Sequence, residues 1–140
     1  MKTLHILLIE DNEGDIFLTT EALEESKIIY LVTVIKDGEK AIDFFEQLTD
    51  IEAAPDLVLL DINLPKKNGH LVLHYIKHNQ SFKQIPVIML TTSSAENDIL
   101  SAYKNYVNCY ITKPTDASDF SSTISKIEDF WINTVSKPTI

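Results

Sequence analysis

The stretch DLVLLDINLP, residues 56–65, sets an ionisable side chain, Asp61, directly after the apolar run Leu57 to Leu60. A short apolar run rich in branched side chains reads as a strand buried on both faces of a parallel sheet. Asp61 then falls at the carboxyl edge, where such sheets place their ligands. Taken alone, an Asp shortly before Pro65 is equally consistent with the start of a turn, since both residue types punctuate strands. Three further runs decide for the edge. LHILLIEDN (4–12) ends its apolar stretch, Ile6 to Ile9, at the adjacent acids Glu10 and Asp11. NCYITKP (108–114) ends a β-rich run at Lys113, before Pro114, and IPVIMLTTS (85–93) stops at the hydroxyls Thr91, Thr92 and Ser93. If these strands are parallel, three carboxylates, one ammonium and a hydroxyl converge at one edge.

Carboxylates so close together repel and raise one another's pKa unless a cation intervenes. A divalent ion and the Lys113 ammonium bring the formal sum of Glu10, Asp11 and Asp61 to zero. Oxygen ligation without His or Cys suits a hard ion. Mg²⁺ binds through one or two carboxylates, keeps several waters, and completes its octahedron with phosphate oxygens. The expected cofactor is therefore Mg²⁺, with Mn²⁺ able to substitute, and the expected chemistry concerns phosphate.

At 140 residues the chain fits one domain, long enough to bury about two-thirds of its unfolded surface. The net charge of −9 argues against nucleic acid, whose binders need a Lys/Arg footprint. The single cysteine, Cys109, can form no internal disulfide, and no charged leader with a long apolar segment opens the chain at Met1. A soluble cytoplasmic protein with no membrane partner is expected.

Along the chain, apolar runs alternate with helical periodicity. Ile16, Thr20 and Leu23 share one face of a first helix whose acids Glu21, Glu24 and Glu25 lie largely on another. Leu31 to Ile35 reads as a strand closed by the turn signal Asp37-Gly38. Ala41, Phe45 and Leu48 mark a second helix, and a third is expected from about Leu71 to His78. Val87 to Leu90 is a strand, and Ser93 with Glu96 has the spacing of a capping box opening a fourth helix. Phe120, Ile124, Ile127 and Trp131 form one apolar stripe on a fifth, with Asp116 as its N-cap. Five β-then-α units with short, right-handed crossovers give an α/β fold: a doubly wound, five-stranded parallel sheet with helices on both faces. The tail after Asn133, with Lys137 and Pro138, is expected to fray.

Taken together, Glu10-Asp11, Asp61, Thr91 and Lys113-Pro114 occur in the order and spacing of the response-regulator receiver domain, which the chain resembles over essentially its whole length. LDINLPKKNG, IPVIMLTTS, VNCYITKP and IEDFW more narrowly resemble the stand-alone receivers that pair with bacterial phytochrome histidine kinases. The resemblance implies a flavodoxin-like strand order 2-1-3-4-5, a receiver domain over residues 1–133 and a tail over 134–140. It further implies that Asp61 takes a phosphoryl group from a kinase phosphohistidine. Asp11 would bind Mg²⁺ directly, Glu10 through a water, and the backbone carbonyl of Asn63 would add a ligand. Lys113 would hold one phosphoryl oxygen and Thr91 another, with Tyr110 turning inward in concert. Such a protein is not an enzyme beyond assisting its own phosphorylation and dephosphorylation. It would signal through a face made by the fourth helix, fifth strand and fifth helix, pairing identical subunits into a homodimer. Thr115 departs from the family's usual apolar residue after Pro114, and Asn63 and Ser93 hold the positions that tune phosphoryl loss.

The remaining conspicuous residues read as structural. His74 and His78 lie at i and i+4 but lack a third ligand, and His5 and His70 are expected to lack partners. Cys109 reads as a small buried side chain. Phe130 and Trp131 read as core and helix-end packing, with a dimer surface as the alternative. Two other functions share part of the pattern. A haloacid dehalogenase-type phosphohydrolase also uses a strand-end Asp with Mg²⁺, but Asn63 stands where its second Asp is needed, and its nucleophile follows the first strand. A flavodoxin-like FMN binder needs a first loop that cradles phosphate, which Glu10 and Asp11 would repel.

Overall fold

In the computed structural model, which describes residues 3–134, the chain runs β1 (Leu4–Ile9), α1 (Glu13–Glu24), β2 (Tyr30–Ile35), α2 (Gly38–Glu46) and β3 (Leu57–Leu60). It continues through α3 (Gly69–Lys77), β4 (Val87–Thr91), α4 (Glu96–Lys104), β5 (Cys109–Thr112) and α5 (Ala117–Ile127). The strands form one sheet in the order β2-β1-β3-β4-β5, every neighbouring pair parallel. The doubly wound sheet in 2-1-3-4-5 order is thus as expected.

Side chains alternate along the strands with period two, and the alternation divides the core. Leu7 and Ile9, Val58 and Leu60, and Val87 and Met89 face one side, where Phe45, Val72, Leu73, Ile76 and Ala102 of α2, α3 and α4 cover them. Ile6 and Leu8, Leu57 and Leu59, and Ile88 and Leu90 face the other, against Leu23, Phe120, Ile124 and Ile127 of α1 and α5. Each such side chain contributes roughly 1.5–3 kcal/mol when fully buried, so a register slip of one residue would be prohibitive.

The chain turns one way out of β1 and the other way out of β3, so their carboxyl ends flank the crevice where a doubly wound sheet binds its ligand. Two glycines close the loops around it. A Cβ on Gly69 would sit 2.1 Å from the Asp61 carbonyl oxygen, and one on Gly38 would sit 1.7 Å from that of Lys67. Asp37-Gly38 is therefore the opening of α2 as well as a turn, with Asp37 as N-cap accepting from the Lys40 amide.

Several local expectations need correction. The third helix starts at Gly69, capped by Asn68. Thr19, not Thr20, is the buried threonine of α1. Ser93 and Glu96 form no capping box: α4 starts at Glu96 behind Ala95, which gives no side-chain cap. The Ser93 hydroxyl instead donates to Asp98 Oδ2 at 2.6 Å, a charged acceptor that forms a stronger bond than an amide cap. His5 and His70 both have partners, Thr33 Oγ1 at 2.8 Å and Asp98 Oδ1 at 3.0 Å. After Ile127 the helix widens into a π-helical segment, Glu128–Thr134, which takes Trp131 out of strict register with Phe120, Ile124 and Ile127. Trp131 still packs, half-buried, against the α1/α5 core. Cys109 is half-buried, and burial pushes its thiol up, away from reactivity. The tail from 135 onward lies outside the described residues.

The expected helix-face histidines His74 and His78 stack with ring centroids 3.9 Å apart. Lys77 is buried, and no carboxylate among the described residues pairs with it. Its ammonium donates to the carbonyls of Lys83 and Ile85 and to Asn108 Oδ1, and burial pushes its pKa down to about 8. Asn108 also accepts from the Val87 amide, so one side chain ties α3 to the starts of β4 and β5.

Candidate functional site

Strand register assembles the site. Ile9 pairs with Leu60, so Glu10 and Asp61 leave adjacent strands side by side, and the Asp61 amide donates to the Ile9 carbonyl at 3.1 Å. Continuing the alternation one step, Glu10, Asp61 and Lys113 carry the parity of the α1/α5 side. Thr91 carries that of the α4 side, like Tyr110. The edge therefore separates a charged cluster from a hydroxyl and a tyrosine.

In the charged cluster, carboxylate oxygens of Glu10, Asp11 and Asp61 lie within 4.8 Å of one another. Glu10 and Asp61 are buried, whereas Asp11 is exposed. Lys113 is buried with its ammonium 2.6 Å from Glu10 Oε1 and 3.2 Å from Asp61 Oδ2. Its third partner was not anticipated: Asp15 Oδ2, at 2.8 Å. Asp15 stands in the first turn of α1, its amide capped by Asn12 Oδ1 at 2.9 Å. No strand-end signal marks it. The signal that finds it is the register itself, because Lys113 on the α1/α5 side must meet whatever the first turn of α1 presents.

Asp15 changes the charge count. Four carboxylates, Glu10, Asp11, Asp15 and Asp61, stand against one ammonium, so a divalent ion leaves the group at −1, not at zero. Burial, reinforced by the Asp61 charge and opposed by the Lys113 hydrogen bond, pushes the Glu10 carboxyl up to about 7. Burial alone would lower Lys113, yet the hydrogen bonds it donates to Asp15 and Glu10 and the charges of Glu10 and Asp61 hold it above its ordinary value. Burial sets the Glu10 shift first, and the neighbouring Asp61 charge adds to it. The donors are all oxygen, closely grouped and open to solvent through Asp11, which fits a hard divalent cation.

On the α4 side, Thr91 is fully buried and its Oγ1 accepts from the Ser93 amide at 3.5 Å. The Tyr110 hydroxyl donates to the Ser93 carbonyl at 2.8 Å. Asp98 gathers Ser93 Oγ and His70 Nε2, and these bonds, the Ser93 one foremost, hold its carboxyl below the usual range. Thr91, Ser93, Tyr110 and α4 are thereby linked. Asn63 is exposed, with its amide 3.4 Å from Asp61 Oδ1. Thr115, where the family usually has an apolar side chain, is exposed.

A family model described as response regulator receiver domain matches residues 6–125. The response regulator Rcp1 of Synechocystis sp. is 43% identical over 135 residues, covering 95% of this chain and 92% of its own. Among solved structures, the Mn²⁺-bound form of response regulator Rcp1 aligns with a TM-score of 0.89 at 42% identity, covering 97% of this chain and 99% of its own. The phosphorylated cyanobacterial phytochrome response regulator RcpA aligns with a TM-score of 0.92 at 42% identity, covering 99% and 100%.

Proposed function

The chain belongs to the response regulator receiver domain family, and from that membership we propose that it accepts a phosphoryl group on Asp61 from a phytochrome-type histidine kinase. Residues 1–133 are the phosphoacceptor unit. The observation that carries the reading is Lys113 Nζ within bonding distance of both Glu10 and Asp61, whose oxygens also group with those of Asp11. An Asp61 oxygen attacks phosphorus, the P–N bond to the kinase imidazole breaks, and its electron pair leaves with the ring. An imidazole protonated on its other nitrogen leaves neutral. Such transfer needs mainly positioning and stabilisation of charge on the moving oxygens. Asp11, Glu10 and Asp61 would hold Mg²⁺ or Mn²⁺, with the Asn63 carbonyl as a further ligand. The bound ion would neutralise charge on the phosphoryl oxygens. Lys113 donates to one such oxygen, and Thr91 moves to donate to another. Beyond its own phosphorylation and dephosphorylation the domain is not an enzyme. Its setting is the cytoplasm, consistent with the finding that no helix among the described residues is long and apolar enough to cross a membrane. The test is uptake of acid-labile phosphate from acetyl phosphate: it is expected with added Mg²⁺ or Mn²⁺ and not in EDTA, and equal uptake in EDTA would refute the reading.

Phosphorylation must change a surface that another molecule reads, because a ligand shifts a two-state protein only through its differential interaction with the states. Release of Thr91 from Ser93, and of Tyr110 with it, alters the α4–β5–α5 face. Leu100 and Tyr103 of α4 and Phe130, just beyond α5, are exposed, with the Tyr103 hydroxyl accepting from the Tyr110 amide of β5, and such apolar side chains suit a symmetric contact between copies. Trp131, half-buried in its own subunit, is the poorer anchor, and Phe130, against which it packs edge to face at 5.6 Å, is the better one. Light scattering with and without beryllofluoride, a phosphoryl mimic, is expected to show a homodimer favoured by the mimic and weakened by Phe130→Ala. A monomer in both states over the micromolar range would exclude the dimer.

A further inference from the structure

An ammonium has three hydrogens, and in Lys113 each one has a carboxylate: Glu10 at 2.6 Å, Asp15 at 2.8 Å and Asp61 at 3.2 Å. The side chain of Lys113 is 4% exposed, so water is a poor substitute for any of them. The two shorter bonds go to groups that form no bond to phosphorus. The longest goes to the one that reacts. The backbone of Asp15 is fixed within the first turns of α1. Asn12 caps its amide, and its carbonyl accepts from Thr19 Oγ1 at 2.8 Å, with Thr19 itself buried.

Resting on the assignment of Asp61 as phosphoacceptor, we propose that Asp15 is a positioning residue for the transfer: with Glu10 it holds the Lys113 ammonium so that one hydrogen points at Asp61 and passes to a phosphoryl oxygen. Only interactions that strengthen on the way to the transition state accelerate a reaction. An ammonium devoted to Asp61 would stabilise the free carboxylate and blunt its attack. Shared with Asp15, it binds Asp61 loosely and gains a tighter partner once charge lies on the phosphoryl oxygens. Without Asp15 the freed hydrogen turns to Glu10 and Asp61, and the unreacted state is stabilised. With acetyl phosphate, an Asp61 oxygen gives its electron pair to phosphorus and the P–O bond breaks with its pair on acetate. Asp15 and Lys113 stay charged throughout, and no proton moves. Asp15 gives no ligand to the grouped oxygens of Glu10, Asp11 and Asp61, which separates its role from cation binding.

The experiment compares wild type, Asp15→Ala, Asp15→Asn and Asp61→Asn at saturating Mg²⁺. Asp15→Ala is expected to slow phosphorylation by acetyl phosphate about tenfold, the scale of a modest misplacement of a reacting group. Asp15→Asn, which keeps an acceptor oxygen of the same shape, is expected to recover part of the rate. Mn²⁺ binding, read by electron paramagnetic resonance without any phosphodonor, should change by no more than about threefold, since the charge removed is partly exposed. The Lys113 ammonium should give a slowly exchanging ¹⁵N–H signal in wild type that Asp15→Ala loses and Asp15→Asn keeps, a change that a merely structural role would not produce. An unchanged or faster rate in Asp15→Ala, or a loss of Mn²⁺ affinity matching that of Asp11→Ala, would overturn the proposal. If Asp61→Asn is still labelled, or wild type is not, the assignment of Asp61 fails instead.

Discussion

Asp61→Asn should abolish phosphate uptake, a fall of at least about 10³-fold, equivalent to about 4 kcal/mol of barrier. The substitution is nearly isosteric, and its amide oxygen can still accept the Lys113 hydrogen that reaches Asp61 Oδ2 at 3.2 Å. The backbone contacts that place residue 61, its amide on the Ile9 carbonyl and its carbonyl against Gly69, do not involve the side chain. Geometry is therefore retained while the nucleophile loses its charge. No other carboxylate compensates. Glu10 is buried with one oxygen on Lys113 and the other accepting from the Asn12 amide, and Asp15 is engaged by Lys113 from the helix side. Asp11, exposed and not bonded to Lys113, is the only conceivable substitute. Residual acid-labile phosphate on the folded Asn variant, mapped to Asp11 by proteolysis and mass spectrometry, would move the acceptor. Undiminished labelling would remove Asp61 from the mechanism altogether.

How far the sequence carried this picture follows from which interactions are local. Ile6–Ile9, Leu57–Leu60 and Val87–Leu90 are apolar without interruption because both their faces are covered, and that alone orders the strands' surroundings and puts Glu10, Asp61 and Thr91 at one edge. Asp116 reveals a helix start through a side-chain bond only two or three residues long, whereas Asn68, which caps the third helix in the same way, lies outside the apolar periodicity that put that start near Leu71. The Ser93–Glu96 spacing misled because Asp98, two residues further on, is a better acceptor once α3 brings His70 against it. No local pattern encodes that juxtaposition. Asp15 was missed for the same reason: its partner Lys113 is distant in sequence, and only the pairing of β4 with β5 and the docking of α1 bring them together. The parity of Lys113 with Ile111 was readable, but which helix covers that face was not. Trp131 lies on a helical stripe until a π-helical segment shifts its angle, and the stripe carries no sign of the change.

Chemistry and signalling are expected to separate in a pair of variants, Asp11→Ala and Thr91→Ala. Asp11 is exposed, contributes an oxygen to the acidic group within 4.8 Å, and has no bond to Lys113. Its removal leaves the Glu10–Lys113–Asp15 network intact and takes away a direct oxygen ligand, so divalent affinity should fall by at least about 10–100-fold, the cost seen even for groups that only support a ligand. Phosphorylation at limiting Mg²⁺ should fall in step and recover as Mg²⁺ is raised, because Asp61 and Lys113 are untouched. Thr91 lies on the other side of the sheet edge. Its hydroxyl meets the Ser93 amide, Ser93 meets Tyr110 through its carbonyl, and the Ser93 hydroxyl meets Asp98 of α4. Thr91→Ala should therefore keep Mn²⁺ affinity and retain phosphorylation within about tenfold, the lost hydroxyl being one hydrogen bond among several on the phosphoryl oxygens. What it should lose is the response. In wild type, beryllofluoride is expected to shift the amide resonances of the loop after Thr91, of α4 and of β5 around Tyr110. In Thr91→Ala the shifts should shrink to the residues beside Asp61. If the variant instead reproduces the full wild-type pattern, Thr91 does not couple the site to the α4–β5 face, and Tyr110 must be moved by another route, the nearest being the Ser93–Asp98–His70 chain.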